Sequence, residues 1–419
     1  MRLLLVGRLI TPLAGGDALD LLPGWVAVDG SGCIVRAGPG RPPAAFRGFA
    51  VTDLRRFVAT PGFVDTHLHY PQIDARGRMA PDLLSWLERH VFPAEEACAD
   101  PHVARSLAAR TFRELARNGV TTAAVHGSPH GEATELAFEE ARRSGLRVFL
   151  GKVMMERNGP EALLQTRERN LELSRRLCRR WDGESRGRLR YAFAPRFAPA
   201  CSFELLRDTA RVARELGALV QTHLSESARE VAWVRELFPR ATSYTDVYRE
   251  AGLLAGRALL AHGVHLEDRE WDTLRSTGAA LAHCPTSNFF LRSGAFDLAR
   301  AMRDGVRFGL GSDVGAGPSF SPFDVMRHAS YLAPITPVEA LQRATLCGAE
   351  ALGVADRTGS LEPEKDADLA LLDPQVLETP LDAPIDSLLG AFIHRGSARV
   401  VAGTLAGGEW VHADPALPV

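Results

Sequence analysis

Between about residue 59 and residue 358, short apolar runs alternate with longer stretches of helical period. No other feature constrains the fold as strongly. Candidate strands end near His69, His126, Val153, Phe197, Glu226, His262, Cys284 and Asp313. Between them, PHVARSLAARTFRELARNG and SFELLRDTARVARELG space their apolar residues as helices do. Asp100 before Pro101 is a helix start signal, and Gly119 and Gly217 are stops. Eight strands alternating with helices over about 250 residues predict an α/β fold, a (β/α)8 TIM barrel. An open doubly wound sheet competes, and it would favour a phosphate-cradling glycine loop after the first strand. That turn reads Asp65-Thr66-His67-Leu68-His69 instead.

The two ends have a different texture. LPGWVAVDGSGCIVRAG carries β-rich runs on either side of Asp29-Gly30-Ser31-Gly32, a hairpin signal. Near the C-terminus, DADLALLD, AFIHRG, ARVVAG and GGEWVHAD read as short β runs separated by Gly and Asp. Neither end is large enough for a good core alone. Together they predict one small β-sandwich domain from residues 1–58 plus 359–419, beside a barrel domain over 59–358.

Composition excludes several classes. The 419 residues are 46% hydrophobic and 24% charged, as in soluble globular chains. Lys plus Arg number 49 against 51 Asp plus Glu, a net of −2, which argues against nucleic acid as a partner. Six scattered cysteines with no C-x-x-C pair fit reduced thiols in a cytoplasmic protein. No secretory signal is expected in MRLLLVGRLITP, and no apolar run of about 18 residues predicts a membrane span. Lys152 and Lys365 are the only lysines, so any lysine-dependent chemistry has two candidates.

In a barrel, active sites lie at the C-terminal ends of the strands, and the unusual polar residues gather there. His67 and His69 alternate with Leu68, so both point to one face and can share a metal. QTHLSES puts His223 at the end of the fifth strand, with Glu226 just beyond. LLAHGVHLEDRE puts His262 at the end of the sixth, and GLGSDVGAG puts Asp313 at the end of the eighth. Singly, each has an ordinary reading: two polar residues at a strand mouth, a core histidine, a solvated glutamate, a helix N-cap. Jointly they supply three histidines and an aspartate, with a spare Glu and His, which suits zinc or iron(II) in an open site. His126 and His130 follow the second strand, and of His283 and Cys284 at most one faces inward. His90, His102, His265, His328 and His412 fall in helices, loops or the β layer.

A divalent cation lowers the pKa of its water toward 7. Hydrolysis at an amidine-like carbon then needs a proton acceptor, for which Asp313 is placed, and a proton donor, for which Glu226 is the candidate. His262 would hold the hydroxide.

With PGFVDTHLHYPQ, LLSWLERHVFPAE, APRFAPACS and LAHCPTSN, these residues resemble the amidohydrolase superfamily and, within it, the guanine deaminases. The resemblance runs along nearly the whole chain. It implies hydrolysis of guanine to xanthine and ammonia, with one zinc on His67, His69, His223 and Asp313. It implies proton transfer by Glu226, help from His262, and a base pocket of Gln72, Arg196 and Phe197, with Trp86 closing it. A homodimer is also implied. Gln72 can donate and accept, Arg196 is a fixed donor fork, and Phe197 offers a stacking face. Ser312 and Thr286 stand where relatives often carry Thr and Asn. Other readings are a deaminase of another heterocycle, such as a modified purine or pterin, and a binuclear cyclic-amide hydrolase with Lys152 as bridging ligand. A barrel that has lost catalysis is a further one, disfavoured by the full set of polar residues.

Overall fold

The structure is a computed structural model that describes residues 2–415 and residue 417. Residues 1, 416, 418 and 419 of the expected β domain lie outside the described residues. The N-terminal strands are β1 (Leu3–Pro12), β2 (Ala18–Val28), β3 (Ile34–Pro39) and β4 (Ala50–Pro61). The β2–β3 turn is held by Asp29, whose Oδ1 accepts from Ser31 N (2.8 Å), Ser31 Oγ (2.6 Å) and Cys33 N (3.1 Å). Such side-chain-to-backbone bonds are why Asp and Gly favour turns.

The body follows as β5 (Phe63–His69), β6 (Val120–His126), β7 (Arg147–Gly151) with its short continuation β8 (Val153–Met154), and β9 (Leu189–Pro195). It continues with β10 (Leu219–Leu224), β11 (Ala258–His262), β12 (Ala280–His283) and β13 (Phe308–Leu310). Neighbours pair in parallel in chain order, with β8 beside β9. The seam between the last and first strands is closed by Asp313 N donating to His67 O (2.7 Å) and His69 N donating to Val314 O (2.6 Å). Gly309 and Gly311 make that approach feasible. A Cβ at Gly309 would meet Thr66 Cγ2 at 2.5 Å, and one at Gly311 would meet His67 Cβ at 2.9 Å. This is an eight-stranded (β/α)8 barrel.

Val64, Ala124, Phe149, Ala192, Leu219, Leu259 and Ala280, drawn from seven strands, pack together inside it. The larger apolar cluster lies between the strands and the surrounding helices. The helix Pro101–Arg117 starts where Asp100 accepts from His102 N (2.8 Å). Phe203–Leu216 ends on Gly217 at φ 65°, a left-handed cap that glycine adopts without strain. Strands β10 and β13 end two or three residues earlier than Glu226 and Asp313 suggest, because the chain turns into the loops that carry those two groups.

From the C-terminus, β14 (Leu369–Leu372), β15 (Val401–Ala406) and β16 (Glu409–Ala413) join the N-terminal strands. The two ends form one continuous seven-stranded mixed sheet in the order β16-β15-β14-β4-β1-β2-β3. AFIHRG, expected as a β run, is instead part of the helix Ile385–Arg395. Phe392 and Ile393 favour a strand as a fragment. With Leu388 and Leu389 they form a buried stripe at helical spacing, and Phe392 packs on Phe323 with ring centroids 6.4 Å apart. Buried ion pairs join sheet and barrel: Arg188 Nη2 reaches Asp368 Oδ1 at 3.0 Å, and Arg147 pairs with Asp366. All six cysteines are free. Among the described residues, no helix is long and apolar enough to cross a membrane.

Candidate active site

His67 and His69 leave β5 on the same face, and β10 supplies His223. The Nε2 atoms of His67 and His223 each lie 3.2 Å from His69 Nε2. Asp313 Oδ1 stands 3.4 Å from His67 Nε2 and 3.6 Å from His69 Nε2. A tetrahedral zinc with bonds of about 2.1 Å separates its ligand atoms by about 3.4 Å. The separations of His69 from His67, His223 and Asp313, and of His67 from Asp313, are close to that value. Their protonation agrees: burial, and then neighbouring histidines, hold His67, His69 and His223 well below the usual imidazole pKa. A neutral imidazole is the form that binds metal. His223 is oriented from behind, its Nδ1 donating to Arg196 O at 2.6 Å and leaving Nε2 free.

Two more groups face these donors. His262 Nε2 lies 3.4 Å from Glu226 Oε2 and 4.0 Å from Asp313 Oδ2. Its Nδ1 is bonded to Asn288 Oδ1 at 2.9 Å, which sets the ring. His262 (φ 75°) and Asp313 (φ 48°) adopt left-handed backbone, as does Ser225 (φ 48°) just before Glu226. Such conformations cost about 1–3 kcal/mol each in a non-glycine residue and cluster at functional sites. Burial, and then the negative charges of Asp313 and Glu230, push the Glu226 carboxyl well above the usual carboxylate range. Ser293 Oγ approaches Glu226 Oε1 at 3.4 Å.

A narrow cavity of about 30 Å³ opens over these groups, lined also by Gln72, Leu83, Trp86, Leu87, Arg196, Phe197, Leu291 and Ala316. Every residue expected of the metal shell and base pocket is brought to this cavity or its floor. Trp86 forms part of the wall, its Nε1 donating to Arg78 O at 2.9 Å.

Sequence reasoning missed three contributors, Glu95, Asn288 and Ser293, and named a fourth, His126, without assigning it a task. Glu95 is completely buried and joins Gln72 to Arg196. Asn288 and Ser293 orient His262 and Glu226. His126 stacks on His69 with centroids 4.8 Å apart. The histidine follows a candidate strand and was visible there; Glu95 and Asn288 end the segments LLSWLERHVFPAE and LAHCPTSN, but nothing in their spacing gives them a partner, and Ser293 lies in a loop. Lys152 is committed elsewhere: its Nζ donates to Val153 O (3.0 Å), Gln165 Oε1 (2.9 Å) and Asn170 Oδ1 (2.8 Å). Burial without a carboxylate partner pushes this amine down to about 7.

The profile described as the Amidohydrolase family matches residues 58–411. The chain belongs to the amidohydrolase family. It is 41% identical to the guanine deaminase of Escherichia coli K12 over 337 residues, 79% of this chain and 76% of that one. The guanine deaminase of C. acetobutylicum with guanine bound in its active site superposes with a TM-score of 0.92 at 27% identity, covering 98% of this chain and 100% of that one. An adenosine deaminase from Xanthomonas campestris with bound zinc superposes with a TM-score of 0.87 at 25% identity, covering 99% and 94%. This amidohydrolase-family chain thus shares its architecture with hydrolases of more than one purine.

Proposed function

We propose that the protein is a metal-dependent guanine deaminase, converting guanine and water to xanthine and ammonia. The observation that carries this reading is the placement of Gln72 and Arg196 on the wall of a cavity floored by three histidine nitrogens and Asp313. The curated relative at 41% identity, named guanine deaminase, supports it.

His67, His69, His223 and Asp313 are the residues to hold one divalent cation, zinc or iron(II). The zinc in the Xanthomonas neighbour favours the first. When bound, the cation supplies Lewis acidity that makes water a nucleophile near neutral pH. The chain's own groups do the rest. Asp313 takes the proton from the water. Glu226, buried and proton-holding, protonates the purine ring nitrogen beside the amino-bearing carbon; it then takes the hydroxyl proton of the tetrahedral centre and passes it to the departing amine, and the proton held by Asp313 returns to Glu226 to restore the starting state. His262, its Nδ1–H held by Asn288 Oδ1, turns Nε2 between the two carboxyl groups, where it accepts a hydrogen bond from the attacking water and orients it. Phe197 and the apolar wall exclude water around the ring. The neutral free base fits a chain with no basic surplus, and a cytoplasmic homodimer is the setting in which we place it.

Ammonia release from guanine, adenine, adenosine, cytosine, 8-oxoguanine and pterin tests the reading. Guanine is expected to be turned over best. Activity confined to another heterocycle would overturn the substrate while leaving the metal site and acid–base groups in place.

A further inference from the structure

Glu95 lies in the turn of helix Phe92–Ala97, with 0% of its surface exposed. Its Oε1 accepts from Gln72 Nε2 (2.9 Å) and Arg196 Nη2 (3.0 Å), and its Oε2 accepts from Arg196 Nη1 (2.7 Å). A carboxylate paired with a guanidinium offers only acceptors. The Gln72 amide must therefore turn its NH2 toward Glu95. Its Oε1 is left as the group that meets a ligand, with the backbone of Gly315 close beside it. A Cβ at Gly315 would lie 3.0 Å from that oxygen. Arg196, held bidentately, keeps its remaining N–H groups as donors. A glutamine free to rotate would read a donor or an acceptor equally well; this one is locked.

We propose that Glu95 determines substrate specificity by fixing Gln72 as an acceptor next to Arg196 as a donor, a pattern that selects a lactam edge over an amidine edge. This rests on the guanine deaminase reading above. On that edge guanine offers N1–H beside a C6 carbonyl, which Gln72 Oε1 and Arg196 satisfy. A 6-aminopurine offers a bare N1 beside an NH2 group and is mismatched twice. Glu95 acts through Gln72 and Arg196, so it is a positioning residue.

The test compares guanine with 2,6-diaminopurine, which carries the same 2-amino group but the amidine edge. Dissociation constants are measured calorimetrically in the metal-loaded, low-turnover Glu226→Gln background, with and without Glu95→Gln, and KM and kcat are measured with Glu226 unaltered. With Glu95 in place the protein is expected to bind guanine about 100-fold more tightly than diaminopurine, since unpaired buried polar groups are what reject an analogue. Glu95→Gln frees the Gln72 amide, so the ratio should fall at least about tenfold, chiefly through guanine's Kd and KM, with bound metal unchanged. An unchanged ratio, or equal loss for both ligands, would overturn the proposal. Should Glu95→Gln melt early, Gln72→Met leaves the Glu95–Arg196 pair intact and must also collapse the ratio; retention of the ratio there would overturn it. Failure to deaminate guanine would sink the proposed reaction, whereas the ratio of binding constants decides Glu95.

Discussion

Asp313 and His67 meet twice: the Asp313 N–H donates to His67 O at 2.7 Å, and Asp313 Oδ1 lies 3.4 Å from His67 Nε2. The first contact closes the barrel and the second sets the spacing of the proposed metal site, so placement of these donors and barrel closure are one geometric event. Chelation should abolish turnover, and one equivalent of zinc per chain should restore it. Asp313→Ala should lower zinc content and cut turnover by at least about 10²-fold. Two metals per chain in elemental analysis, with a modified Lys152, would instead favour the binuclear reading.

Glu226→Gln keeps the size of the side chain but removes its proton exchange. Turnover should fall by about 10²–10⁴-fold with zinc content intact. Near-normal kcat would remove Glu226 from the mechanism. The readout is kcat beside metal content in the same preparation.

Asn288→Ala removes the acceptor that sets the His262 ring. Orienting partners of this kind are worth about 10–100-fold in activity. The loss should appear in kcat, with little change in KM and none in bound zinc. Unchanged kcat would mean that His262 is held by packing alone.

Lys152 gives a stability signature. Its folded value of about 7 lies below the ordinary 10.5. Between those pH values the unfolded chain binds more protons than the folded one, so this group makes stability rise with pH, by about 1.4 kcal/mol per unit. Lys152→Met removes the slope. In urea melts at several pH values, the stability of the unaltered protein relative to Lys152→Met should increase from about pH 7 to about pH 10. A difference independent of pH would show that the amine titrates normally.

Much of this was legible before the structure. The alternation of apolar runs with helical stretches has a period that local sterics impose, so the barrel could be read from it. His67, His69, His223, His262 and Asp313 stood out because each sits at a strand end, where chain geometry already restricts direction. AFIHRG misled because Phe392 and Ile393 favour strands locally, while Leu388 and Leu389, four residues earlier on the same face, make them helical. Glu95 was invisible for another reason. A glutamate in a helical turn is ordinarily solvated, and only burial against Gln72 and Arg196 gives it a task.

The sequence by itself determined the alternation of strands and helices in the body, the barrel class and the gathering of histidines and an aspartate at strand ends, because strand alternation and residue chemistry act over a few neighbouring positions. Only the tertiary structure decided which way Gln72 presents its amide, that Lys152 bonds to Gln165 and Asn170, and that Asn288 faces His262. Those choices depend on contacts between residues distant in the chain, and the cost of leaving a buried polar group unpaired selects among them.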